Sequence, residues 1–281
     1  FVDEIYKRES NVLMPFQLFN INIKNKVPNR SKSCITRDGD IFVCGGLEIM
    51  GENNEIKYFD KLYQLNFEFS TLTKISRMRT PRADFGFLPV NNGLMVVGGI
   101  TPTSNGSKEV EFFDFETLSW VKKNNMNEGC SSPAVCSLST GDVLKIGGYR
   151  EDDSISNCIE LYNFKQNTWH KLFISNKKSL PSFLVESAAI EISKNTILLL
   201  GGKDRNQFAH RQVLMLKLDI PSKNVTVELL QHELPDAAIF KNAQIIIYQD
   251  SLIMNPEMEF NTNSFKPGGI IFKNNEFQKF V

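Results

Sequence analysis

Residues 143–169 read VLKIGGYREDDSISNCIELYNFKQNTW. A short apolar strand stops at the pair Gly147-Gly148. A polar stretch follows, then a strand ending in Tyr162-Asn163-Phe164, and five residues later comes Trp169. The opening recurs three times: IFVCGG ends at Gly45-Gly46, LMVVGG at Gly98-Gly99 and ILLLGG at Gly201-Gly202. The first glycines lie 53, 49 and 54 residues apart. Self-similarity at such a period means one supersecondary unit repeated in a ring or stack. A glycine pair closing a strand supplies positive φ or lets another backbone approach closely.

The second half recurs too. Phe113-Asp114-Phe115 leads to Trp120, and weaker versions are Leu65-Asn66-Phe67 with Leu72, Leu218-Asp219-Ile220 with Val225, and Ile270-Ile271-Phe272 with Phe277. An apolar strand, a polar turn and a large apolar anchor describe a β-hairpin. The first half is also a hairpin, because turn clusters such as Asp38-Gly39-Asp40, Asn91-Asn92-Gly93 and Thr140-Gly141-Asp142 precede the glycine strands. Ahead of those clusters lie short strands around Cys34, Phe85, Val135 and Ala189. Four antiparallel strands per repeat make a propeller blade.

Glycine pair, then Glu-x-Tyr-Asp/Asn, then Trp, resembles the kelch repeat. The match is in register at Glu111, Phe113, Asp114 and Trp120 and at Glu160, Tyr162, Asn163 and Trp169, and it fades in the fifth repeat, where Asn255-Pro256 replaces the glycines. The resemblance implies an all-β, kelch-type β-propeller. It implies that Gly45, Gly46, Gly98, Gly99, Gly147, Gly148, Gly201 and Gly202, with Trp120, Tyr162 and Trp169, are structural, the aromatic side chains packing between blades.

Sliding the pattern backwards aligns Glu4-Ile5-Tyr6 with Glu160-Leu161-Tyr162, and Leu13 with Trp169. Residues 1–19 then read as the outer strands of an incomplete blade. Five blades follow at about 30–75, 82–123, 131–174, 185–231 and 240–281, giving one domain. Two strands plus five blades fall short of a six-bladed ring, and the chain has no initiator Met. The expectation is a ring of six blades completed by a hairpin upstream of Phe1, since an open ring exposes sheet edges.

Composition narrows the function. With 32 basic and 32 acidic residues the net charge is zero, so a nucleic-acid binder, which carries a basic excess, is not expected. No apolar run reaches the length of a membrane-spanning helix, and no membrane partner is expected. Five cysteines form an odd set. Cys34 and Cys136 each precede the first glycine of their repeats by 11 residues, the behaviour of small apolar core residues. A reducing compartment fits: the expected setting is cytoplasmic, with cytoskeletal or ciliary assemblies in view. The sequence sets no oligomeric state.

Sites for chemistry fail on spacing. Gly201-Gly202-Lys203 lacks the earlier glycine and the hydroxyl residue of a phosphate loop. His170, His210 and His232 share no ligand spacing, and no two cysteines stand at CxxC distance, so no metal, no cofactor and no catalytic residues are expected.

The loops after the glycine pairs are long and polar, and they open on the face of the blade-to-blade connections. Those connections carry Arg30 (in VPNR) and Arg82 (in TPR), while the loops carry Tyr149, Arg150 and Arg205. Arginines around a channel mouth suit carboxylate or phosphate capture; the other reading of Arg30 and Arg82 is structural. The expectation is a non-enzymatic interaction module. It would bind a protein or peptide through this face, as part of a larger polypeptide or assembly such as a ubiquitin-ligase substrate receptor or a cytoskeletal or ciliary component. The alternative is an enzyme or small-molecule binder in the channel, of the oxidase, sugar-processing or lyase type.

Overall fold

The computed structural model describes residues 27–66, 68–176, 185–235 and 237, and beyond them the backbone of strands as far as residue 280. The strands expected in residues 1–19, and with them the closure of a sixth blade, lie outside the described residues, as does Asn255-Pro256.

The described residues are all-β. The first blade holds β1 (Lys32–Ile35) and β2 (Ile41–Cys44). A separate hairpin follows, β3 (Leu47–Met50) with β4 (Glu55–Tyr58), before β5 (Lys61–Asn66) and β6 (Thr71–Arg77) complete the sheet in the order β1-β2-β5-β6. The second blade is β7 (Gly86–Val90), β8 (Gly93–Val97), β9 (Val110–Asp114) and β10 (Ser119–Lys123). The third is β11 (Ala134–Ser137), β12 (Val143–Ile146), β13 (Ile159–Asn163) and β14 (Thr168–Ile174). The fourth is β15 (Ala188–Ser193), β16 (Thr196–Leu200), β17 (Val213–Asp219) and β18 (Asn224–Leu229).

After β19 (Ala238–Ile239) comes a fifth four-stranded sheet, β20 (Ile245–Tyr248), β21 (Ser251–Met254), β24 (Gly269–Lys273) and β25 (Glu276–Phe280). Strands β22 (Glu257–Phe260) and β23 (Ser264–Pro267) pair with β19 beside it. The first strands of successive blades, β1, β7, β11, β15 and β20, are neighbours in turn, so the blades are arranged as in a propeller.

Alternation explains the core. On β12, Val143 faces the second blade, joining Met95, Val97, Phe112, Tyr162 and Trp169, whereas Leu144 faces the fourth, joining Leu161, Ile197 and Leu216. Period-2 side-chain direction thus sends successive residues into opposite inter-blade cores. Sandwiched strands are buried on both sides, and β8 is buried at every position. Outer strands are not: β10 buries Trp120 and exposes Val121.

The fourth repeat departs from the sequence register. Tyr162 pairs with Val143 and with Trp169, and Phe113 pairs with Leu94 and with Trp120. The residues in those places are Leu216, opposite Ile197, and Val227, not Leu218 and Val225. The hairpin there runs two cross-strand pairs further before it turns, so counting back from the turn misplaces the anchor. In the fifth sheet Phe272, rather than Ile270, stands opposite Phe277.

The glycine pairs have separate tasks. A Cβ on the second glycine would lie 2.7 Å from the carbonyl oxygen of its own blade's entry turn, at Gly46 (Asn29), Gly99 (Ala83) and Gly148 (Ser131). A Cβ on the first would meet the next blade's turn, 2.6 Å from Arg82 O at Gly45 and 2.4 Å from Cys130 O at Gly98. Those same two carbonyls accept the second glycine's N–H, at 2.9 Å from Gly46 and 2.8 Å from Gly99. Two consecutive residues without side chains therefore let three backbone segments meet.

Candidate functional site

One face of the propeller is built from the loops after the glycine pairs and from the turns that enter each blade. The two sets are stitched together by isolated bridges: Asn29 with Leu47, Ala83 with Ile100, Ser131 with Tyr149 and Val185 with Lys203. The next residue of each turn, Arg30, Asp84, Ser132 or Glu186, has positive φ of 58°, 49°, 50° and 54°. Such a conformation costs a non-glycine residue about 1–3 kcal/mol, and neighbouring turns hold it in place. Ser132 N–H donates to Asp84 O (2.6 Å) and Glu186 N–H to Ser132 O (3.3 Å), while the Arg30 guanidinium donates to the Asp84 carboxylate. Glu186 also pairs with Lys203 at 3.1 Å.

Arg82 does not lie on this face as a contact. It is 0% exposed. Its guanidinium donates to Glu111 Oε1 (2.6 Å), to Gly98 O (2.9 Å) and to Thr80 O (3.3 Å). Glu111 in turn accepts the backbone N–H groups of Arg79 (2.7 Å) and Thr80 (3.1 Å). The expectation that Arg82 captures a partner is corrected: a planar five-donor group satisfies a buried carboxylate and orphan carbonyls inside the blade junction. The third blade does the same differently. Glu160 accepts the N–H groups of Asn127 (2.9 Å) and Glu128 (3.0 Å), and its cation is Lys145, from β12. A lysine among apolar residues, VLKIGG against LMVVGG, was the sequence signal for it.

The other predicted residues are distributed unevenly. Arg150 is partly exposed but engaged, with Glu128 at 3.3 Å, Ile155 O at 3.0 Å and Ser154 Oγ at 3.2 Å. Arg205 is exposed. Tyr149 is half-buried beside Glu186 and Lys203; burial raises its phenol above the ordinary range, and Gln207 Nε2–H donates to its oxygen at 3.0 Å. Arg30 is bound to Asp84 across the first two blades. The structure thus brings Tyr149 to the rim between the third and fourth blades and leaves Arg205 as the predicted arginine without an ion pair among the described residues.

Two features of this face were not legible from the motifs. Exposed apolar side chains stand on its loops: Ile49 (63% exposed) lies directly opposite Ile56 (50%) on the β3–β4 hairpin, with Met50 beside them and Phe208 on the fourth blade's loop. Between the second and third blades opens a cleft of about 780 Å³, lined by Lys108, Glu109, Glu128, Arg150, Glu151 and Lys171 among others. Glu151 clamps the second blade's loop, accepting Ser104 Oγ–H and the N–H groups of Asn105 (3.0 Å) and Gly106 (2.9 Å), which holds its carboxyl below the usual range. For Glu128, burial works upward, but the Ser156 hydroxyl and the charges of Lys145, Arg150 and Lys171 outweigh it.

All five cysteines are unpaired thiols. Burial pushes Cys130 up to about 11 and Cys136 to about 12, so neither is a ready nucleophile. Among the described residues no group of three His, Cys, Asp or Glu is placed to hold a metal ion, and no helix is long and apolar enough to cross a membrane.

Blades of this form define a β-propeller. Residues 81–127 and 130–172 match the Kelch motif. The chain is 27% identical over 157 residues, 56% of its length, to Kelch-like protein 41b of Danio rerio, covering 26% of that protein. It is 27% identical over 213 residues, 69% of its length, to tRNA wybutosine-synthesizing protein 4 of Saccharomyces cerevisiae, covering 28% of it. The matched stretches span about a quarter of these relatives. The solved structure of YjhT superposes with a TM-score of 0.66 at 15% identity, over 90% of this chain and 84% of that one, a likeness of fold. The second and third blades thus carry kelch motifs, and the chain is similar to kelch-repeat proteins over them.

Proposed function

We propose that this propeller is a non-catalytic binding module that holds a partner protein on the loop face. The supporting observation is the Ile49–Ile56 pair, two large apolar side chains paired across an isolated hairpin and open to solvent, with Phe208 on another loop of the same face. Single exposed apolar residues are ordinary, whereas apolar contacts grouped on rigid loops suit a protein interface. Four buried thiols, and Arg82 engaged inside the blade junction, favour binding over catalysis.

The relatives are several times longer than the matched stretch, which supports a recognition unit within a larger polypeptide. It would work in the cytoplasm, as the substrate receptor of a ubiquitin ligase or as part of a cytoskeletal or ciliary assembly. Affinity capture tests the reading. A protein recovered by the parent should be lost with Ile49→Asp/Ile56→Asp or Phe208→Asp and kept with Leu118→Asp, which alters the turn on the opposite face. Equal recovery by all variants would refute it.

A further inference from the structure

The chain holds two Asn-Gly pairs, Asn92-Gly93 and Asn105-Gly106. Asparagine before glycine is prone to deamidation, because no side chain hinders the glycine nitrogen as it approaches the asparagine carboxamide. The two pairs are held differently. Asn92-Gly93 closes the turn between β7 and β8, where Gly93 stands in the ladder opposite Val90 and Asp114. The Asn92 carboxamide is engaged as well, its Nδ2–H donating to Glu116 Oε1 at 3.3 Å. Asn105 is exposed, and its carboxamide makes no hydrogen bond among the described residues. Only the backbone is restrained there. Glu151 accepts the N–H groups of Asn105 (3.0 Å) and Gly106 (2.9 Å), and Ser104 Oγ accepts the Gly106 N–H too, at 3.2 Å.

We propose that Asn105 is a deamidation site guarded by Glu151, and that its conversion unfastens the second blade's loop from the third. The reaction needs only water. The Gly106 nitrogen gives its proton to solvent base and bonds to Asn105 Cγ, ammonia leaves, and a cyclic succinimide forms. Water then opens the ring to an aspartate or an isoaspartate at position 105, so water is taken up and ammonia released. A nitrogen whose N–H is held by a carboxylate and a hydroxyl loses its proton reluctantly and cannot turn toward Cγ. Attack therefore proceeds from the opened loop, and hydrogen bonds to a charged acceptor are what keep it closed.

Neither product suits the clamp. Each puts a second carboxylate beside that of Glu151, where like charges disfavour each other. An isoaspartate also routes the chain through Cβ, adding a backbone atom between the two N–H groups that Glu151 accepts together. The packing leaves no room to absorb it: a Cβ on Gly106 would lie 2.8 Å from Glu151 N, and one on Gly129 would lie 2.1 Å from Gly106 O.

Peptide mapping by mass spectrometry tests this after incubation in mildly alkaline buffer, with a synthetic peptide of residues 103–108 as the unguarded reference. Asn105 should convert fastest in the peptide, and about tenfold faster in Glu151→Gln than in the parent. Ser104→Ala, which removes one acceptor of the Gly106 N–H, should quicken conversion by a smaller factor. Asn92 is the internal control and should convert slowly and equally in all three proteins. Parent converted at position 105, separated by ion exchange, should show faster amide exchange at Gly106 than unconverted parent. Thermal denaturation confirms that each variant is folded.

Equal rates at Asn105 in the parent and in Glu151→Gln would overturn the proposal, because Glu151 would then guard nothing. Conversion of Asn92 ahead of Asn105 in Glu151→Gln would do so too. Unchanged exchange at Gly106 in the converted protein would show that the loop stays fastened, and the second half of the proposal would fall.

Discussion

The ammonium of Lys145 lies 4.0 Å from the carboxylate of Glu160, directly opposite on the neighbouring strand, and both side chains are 0% exposed. The same cross-strand position holds Val96 with Glu111 in the second blade and Leu199 with Leu214 in the fourth. In the second blade the compensating cation comes from Arg82 in the entry turn, and the corresponding place in the third blade's turn is Cys130. The chain thus neutralises a glutamate that recurs at one repeat position by two routes, and in the fourth blade, where the glutamate is absent, both partners are apolar.

A buried carboxylate left without its cation is expensive, typically about 3–5 kcal/mol, whereas replacing both partners by apolar residues is often nearly neutral. Lys145→Met should therefore destabilise by about that amount, and Lys145→Leu/Glu160→Leu, the fourth blade's pairing, should cost clearly less. Denaturant titration of the two variants checks this. A double variant less stable than Lys145→Met would show that Glu160 is held chiefly by the N–H groups of Asn127 and Glu128.

Arg82→Lys keeps the charge but cannot reproduce a fork that reaches Glu111 and the Gly98 and Thr80 carbonyls together. Stability should fall by roughly 1–3 kcal/mol, the cost of buried acceptors left unmet. The measurement is again a denaturant midpoint, and a lysine variant as stable as the parent would mean that charge alone suffices there.

The period, the hairpins and the two strong repeats were legible because glycine pairs and aromatic anchors are rare residues at fixed spacing. The fourth blade's register was not: Leu216, Leu218, Val225 and Val227 are all apolar and buried, so the pattern alone offers two alignments that differ by two cross-strand pairs. The sequence left Arg82 between a contact and a structural role because its partner Glu111 lies on a strand of the same blade, 29 residues on, a pairing that only the sheet register brings together. The cleft was invisible for the same reason, since Lys108 and Lys171 come from different blades.

The two anchor tryptophans should differ. Trp169 Nε1–H donates to Asn124 O at 2.9 Å, whereas Trp120 Nε1 is buried without an acceptor among the described residues. Either one changed to Ala should cost about 3–5 kcal/mol. Changed to Phe, Trp169 should cost about 1 kcal/mol more than Trp120, because only it loses a hydrogen bond and leaves a carbonyl unmet. Equal costs for the two Phe variants would place an acceptor near Trp120.

Gly99 and Gly51 both have positive φ, 102° and 62°, but a Cβ at Gly99 would lie 2.7 Å from Ala83 O and one at Gly51 would meet nothing within 4 Å. Gly51→Ala should cost about 1 kcal/mol, the left-handed conformation alone. Gly99→Ala adds a collision with backbone that cannot retreat and should lower the thermal midpoint several times further. Similar midpoints would mean that the blade entry turn moves aside easily.

The Glu151 clamp carries a pH dependence. The hydroxyl of Ser104 and the N–H groups of Asn105 and Gly106 lower its carboxyl from the ordinary 4.5, so the ionised form is the one the folded loop prefers. The contribution is present above the unfolded value and is lost as pH falls through the lowered folded value. Amide exchange at Gly106 should therefore remain slow near neutrality and quicken, relative to other protected loop amides, only in acid below about 4.5. Glu151→Gln should quicken it near neutrality, because the neutral amide is a weaker acceptor for two N–H groups than the ionised carboxylate. Exchange at Gly106 that is unchanged in Glu151→Gln would show that the loop is held instead by the Ser104 Oγ contact to the same N–H, at 3.2 Å.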